Sequence, residues 1–157
     1  MPGLEDPSGL LRRVILSDVE LVAQVAPTTP AGTDFSSSLI SLGSPGYNGT
    51  SAWIEATLNP VARFIQNNNA IEVQGNPPYT SGVHAFLQRI RIGDGPHVAF
   101  YAAGMSEGAT VTAAYFLASR WSYLYRRFGD RENFCLVLEV VAANPTTPKI
   151  LLERGEG

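Results

Sequence analysis

Charge is scarce in this chain. Only 16% of its 157 residues are Asp, Glu, Lys or Arg, and the formal net charge is -3. With no basic excess to neutralise a phosphate backbone, nucleic acid is not an expected partner. Cysteine is scarcer still, and the single Cys135 excludes a disulfide within the chain. It lies in the apolar run Phe134-Cys135-Leu136-Val137-Leu138, which offers a thiol neither exposure nor a positive neighbour, so an inert buried thiol is expected. His84 and His97 stand in strand contexts without metal-ligand spacing, and no metal is expected. The chain opens without a cationic segment followed by an apolar run, and no stretch approaches membrane-spanning length. The expected setting is therefore cytoplasmic, away from membranes. Neither a Ser-His-Asp order nor a paired-carboxylate arrangement stands out.

Apolar side chains are plentiful. At 45% hydrophobic the chain can bury a core, and its length fits one domain over 10–152, between a flexible segment over 1–9 and a flexible tail over 153–157. Fifteen glycines and eleven prolines fall mostly between the apolar runs, as turn residues do. The stretch 95–141 organises the rest. His97-Val98-Ala99-Phe100-Tyr101-Ala102-Ala103 is a continuous apolar run of strand length, broken by the small and polar turn Gly104-Met105-Ser106-Glu107-Gly108-Ala109-Thr110. Val111, Ala114, Ala118, Trp121, Tyr125 and Phe128 then recur at three and four residues, which predicts one long helix with that face on a sheet. A second apolar run over 134–141 completes a strand–helix–strand unit, expected to place two parallel strands in the sheet.

Earlier in the chain, 10–26 is ambiguous: helical spacing favours a helix over 17–25, while Val14-Ile15-Leu16 also suits a strand. Short strands are predicted over 37–42, 62–65 and 70–73, with a helix over 51–58 stopped by Asn59-Pro60. A strand over 83–92 leads into Gly93-Asp94-Gly95-Pro96, a tight turn that predicts a hairpin with the central strand. A last edge strand is expected over 149–152.

Two turns share one design. Gly43-Ser44-Pro45-Gly46-Tyr47-Asn48-Gly49-Thr50 and the turn at Gly104 each follow an apolar strand and lead through small polar residues into a helix. A helix amino terminus carries unpaired N–H groups and partial positive charge, glycines admit close approach, and hydroxyls add donors. Gly43, Ser44, Asn48, Thr50, Gly104, Ser106, Glu107, Gly108 and Thr110 are thus candidate ligand-binding residues for a phosphate or carboxylate. Neither turn is a P-loop or a Gly-x-Gly-x-x-Gly fingerprint, and the same residues equally suit plain helix capping. Glu107, the one carboxylate in either turn, suits the helix dipole, a ribose contact or a general acid/base role, and is the candidate catalytic residue; Glu55, on the first turns of the short helix, carries a weaker version of the same ambiguity.

The pair Gly43-Ser44-Pro45-x-x-Asn48 and Ala103-Gly104-x-x-x-Gly108-x-Thr110 resembles the turns of a group of poorly characterised prokaryotic Rossmann-like domains. More loosely, it is similar to nucleotide-sensing modules of prokaryotic signalling and defence. The resemblance implies an α/β three-layer Rossmann-like domain, with a mostly parallel central sheet and an antiparallel hairpin. It also implies a sensor or effector-associated subunit for a nucleotide or other phosphorylated ligand. Two other readings stand beside it. One is a protein–protein or homo-oligomeric assembly module using the aromatic surface of Trp53, Trp121, Tyr123 and Tyr125; the other is a nucleotide-processing enzyme that cleaves an N-glycosidic bond through Glu107.

Overall fold

The computed structural model describes residues 38–156. The helix expected over 17–25 and the amino-terminal segment lie outside the described residues. Seven strands and three helices follow in the order β1 (Leu39–Leu42), α1 (Gly49–Thr57), β2 (Ala62–Ile65), β3 (Ala70–Val73), β4 (His84–Arg91), β5 (Val98–Gly104), α2 (Glu107–Ser119), α3 (Trp121–Phe128), β6 (Asn133–Glu139) and β7 (Lys149–Glu156). Five strands form one sheet in the order β1-β5-β4-β6-β7, and β2 with β3 forms a separate hairpin. The turn of that hairpin holds Gln66, Asn67 and Asn68 at positive φ, and asparagine tolerates this region better than most residues.

The sheet is mixed. Only β1 and β5 pair in parallel; β4 runs antiparallel to both β5 and β6, and β7 antiparallel to β6. This corrects the expected mostly parallel, three-layer Rossmann-like architecture. β5 and β6 do point the same way across a helical crossover, but β4 lies between them. The predicted hairpin through Gly93-Asp94-Gly95-Pro96 is what inserts it, with Arg91 opposite Val98. Continuous apolar runs signal burial on two faces and say nothing of strand direction. Here both faces are covered even though most neighbours are antiparallel.

On one face α2 and α3 pack Ala113, Phe116, Leu117, Leu124 and Phe128 against Leu87, Phe100, Ala102, Leu136 and Leu138. On the other, Ile54 of α1 and Phe64, Ile71 and Val73 of the hairpin meet Phe86, Ile90, Tyr101, Cys135 and Val137. Phe86 is fully buried, with Tyr101 edge-on at 4.8 Å, and burial of such a side chain is worth about 1.5–3 kcal/mol. The thiol of Cys135 is enclosed and burial pushes its pKa up to about 12, so the expected inert cysteine is what the fold holds.

One buried polar residue ties the hairpin to the sheet. Gln88, on the Phe86 and Ile90 face of β4, accepts from the Ala62 amide through Oε1 (3.2 Å) and donates to the Ala62 carbonyl through Nε2 (2.6 Å). The single long helix expected after Thr110 is instead two, interrupted at Arg120 with φ -115° and ψ 26°. Val111, expected on the buried face, is 62% exposed, while Ala114 and Phe128 are buried as expected.

Candidate functional site

β1, β5 and β6 end on one edge of the sheet, and the two glycine-bearing turns are neighbours there. Leu42 stands opposite Ala102, and the Gly43 amide donates to the Ala102 carbonyl at 3.0 Å. From this shared rim the chain leaves β1 for α1 on one face and β5 for α2 on the other. Adjacent parallel strands whose connections depart to opposite faces define a switch point, and the crevice outside their carboxyl ends is where open sheets take ligands.

Each corner is held by its own side chains. Asn48 caps α1, accepting from the Thr50 amide at 2.9 Å, and its Nδ2 donates to the Leu42 carbonyl at 2.8 Å and to Ser41 Oγ at 3.2 Å. The Ser51 hydroxyl donates to the Gly43 carbonyl at 2.7 Å. Ser106 caps α2, accepting from the Ala109 amide at 3.1 Å and donating to the Gly82 carbonyl at 2.8 Å. The Thr110 hydroxyl accepts from the Gly104 amide at 2.9 Å. Two glycines are required by this geometry. Gly43 has φ 98°, in the left-handed region, and a Cβ on Gly104 would lie 2.4 Å from the Ala109 Cβ and 2.7 Å from the Thr110 amide nitrogen.

The nine sequence-predicted residues therefore gather at one rim but divide by role. Asn48, Ser106 and Thr110 are spent on the protein's own backbone, and Ser44 and Thr50 are buried. What faces outward is the amide-bearing start of α2. Glu107 and Gly108 are exposed and Gly49 is half-buried, and the first amides of a helix have no partner within it. Space beside Gly108 is open. Glu107 sits in the first turn of α2, where its charge complements the dipole. The rim also carries exposed apolar side chains, with Tyr47 at 84%, and Val83 and Val141 flanking it.

Sequence reasoning marked Glu55 as a weaker candidate but missed the carboxylate–phenol pair it forms beneath this rim. Tyr101, buried in β5, donates to Glu55 Oε2 at 2.5 Å, while Glu55 Oε1 accepts from the Phe64 amide at 3.0 Å. The pair links α1, β5 and β2. Its only sequence signal was a carboxylate in a short helix and a tyrosine inside an apolar run. Burial pushes the Glu55 carboxyl above its ordinary value, outweighing the hydrogen bonds from Tyr101 and Phe64 and the charge of Arg63. Burial, reinforced by the Glu55 charge, holds the Tyr101 phenol well above its ordinary value.

A stability signature follows, because the folded protein holds the Glu55 proton more tightly than the unfolded chain does. Its contribution is most favourable below the unfolded carboxylate value and is lost as pH rises through the folded value. Thermal melts of wild type and Glu55→Gln should show wild type losing ground to the variant as pH climbs from about 4 to about 7. Parallel curves would exclude the assignment.

The aromatic surface proposed for assembly is not an open patch. Trp121 and Tyr123 pack against the α2–α3 core, Trp53 packs against the opposite one, and Tyr125 is half-buried. Among the described residues no group of three His, Cys, Asp or Glu side chains is placed to hold a metal, and no helix is long and apolar enough to cross a membrane. No protein-family model, curated protein or solved structure matches this chain.

Proposed function

We propose that this domain binds a small phosphorylated ligand of the nucleotide class at the rim between the β1 and β5 corners. The switch point carries this reading: two helices on opposite faces begin side by side, with their positive ends at one rim. The amides of Gly49 and Gly108 supply donors to an anionic oxygen, and the Glu107 carboxylate accepts from ribose hydroxyls. The internal caps keep the corners rigid, so less ordering accompanies binding.

The test is a titration of AMP, ADP and inorganic phosphate against wild type and Gly108→Asp, following the thermal midpoint. Gly108 has open space around it, so the variant adds a negative charge to the rim without disturbing the fold. A nucleotide at about a hundred times its Kd stabilises by about 2.7 kcal/mol. The wild-type midpoint should rise with concentration and that of Gly108→Asp should stay flat. A flat wild type, or equal responses, defeats the reading.

The exposed Tyr47, Val83 and Val141 favour a second reading, in which the same rim docks a protein. A flat titration accompanied by concentration-dependent sedimentation would select it.

A further inference from the structure

Two open hollows lie at the opposite end of the sheet from the glycine corners. One of about 440 Å³ is lined by Pro96, Val98, Phe100 and Trp121 together with Arg89, Arg91 and Arg131, and Glu132 is the one carboxylate among the described residues that line it. A neighbouring cavity of about 640 Å³ shares Arg131.

The three guanidiniums are unequally neutralised. Arg91 pairs with Glu132 at 2.6 Å and also donates to the Asp94 and Gly95 carbonyls. Arg89 donates to the carbonyls of Phe128, Arg131 and Glu132 and lies over the Phe134 ring, and among the described residues it has no carboxylate partner. Arg131 is exposed, and its nearest acid is Asp130 at 4.0 Å. The groove is thus left with positive charge beside an apolar wall.

A second observation is independent of charge. The Trp121 indole, edge-on to Phe100 at 5.5 Å, has its Nε1 enclosed without a hydrogen-bond partner among the described residues. The Trp121 ring thus gives the groove an aromatic wall, and its enclosed N–H reports on whatever packs against that wall.

We infer that this groove binds an aromatic anion, its ring on the Trp121–Phe100–Val98 wall and its anionic group on Arg131. The site is separate from the rim and does not depend on the switch-point reading. Stacking and a charge-assisted hydrogen bond together give the selectivity, since neither a bare anion nor a neutral ring gains both.

The probe is phenyl phosphate, with inorganic phosphate and benzyl alcohol as partial ligands. The readout is the Trp121 indole N–H resonance of the full chain. The chain has two tryptophans, so a Trp53→Phe background assigns the signal. Phenyl phosphate should shift this resonance saturably, and Arg131→Ala, which removes an exposed side chain, should weaken binding about tenfold or more. Inorganic phosphate and benzyl alcohol should each bind about tenfold more weakly or worse. An absent shift, an equal response to benzyl alcohol, or an unaltered Arg131→Ala curve overturns the inference.

Discussion

Gln88→Leu is expected to lower the unfolding free energy by about 2–5 kcal/mol, although it exchanges a polar side chain for an apolar one of similar size in a buried site. Gln88 is 1% exposed, and its amide satisfies both the N–H and the C=O of Ala62, itself fully buried. Leucine returns neither bond, and each orphaned backbone group costs about 1–3 kcal/mol in desolvation. Hydrophobic bookkeeping alone would give the opposite sign, so urea denaturation of this one variant decides between the two effects. Amide exchange should show where the loss is felt. The hairpin of β2 and β3 rests on the sheet through this residue and should exchange faster than β4 and β5. A variant as stable as wild type would mean that Ala62 finds other partners.

Gly104→Ala should cost about 3 kcal/mol, at the upper end for overpacking, because what the new methyl meets cannot move aside. Its nearest neighbours are the Ala109 Cβ at 2.4 Å and the backbone of Ala109 and Thr110 at 2.7 Å. Accommodation requires α2 to shift relative to β5, which also strains the Thr110 hydrogen bond to the Gly104 amide. Gly43→Ala is the comparison. Its φ of 98° is unfavourable for alanine, yet no atom lies within 4 Å, so the cost is confined to backbone conformation at about 1–2 kcal/mol. Denaturant midpoints for the two variants should separate accordingly. Equal losses would show that the contact at Gly104 relaxes.

Local signals carried the element assignments further than the topology. The strands at Ala62–Ile65 and Ala70–Val73 and the strand pair around Gly93-Asp94-Gly95-Pro96 were legible from apolar runs and turn residues. Strand direction was not. A run such as Phe134-Cys135-Leu136-Val137-Leu138 looks the same whether its neighbour is parallel or antiparallel, because only the covering of both faces is recorded in it. The break at Arg120 escaped for a related reason. The apolar spacing of Ala114, Ala118, Trp121 and Tyr125 continues across it without a proline or glycine to mark the change.

At the rim, the pairing of the two corners was readable from their shared design. The turning of Asn48, Ser106 and Thr110 into the backbone was not, because capping and ligand binding ask for the same residue types. The Glu55–Tyr101 pair joins residues 46 apart in sequence, and no local pattern reports such a contact.

The enclosed thiol of Cys135 has a practical corollary. Maleimide chemistry needs thiolate and access, and this sulfur, fully buried with its pKa at about 12, supplies neither in the native state. A cysteine introduced at Tyr47 or at Arg131 would then be the sole reactive handle on the folded chain. Dyes or spin labels could be placed at either end of the sheet without first deleting a native residue.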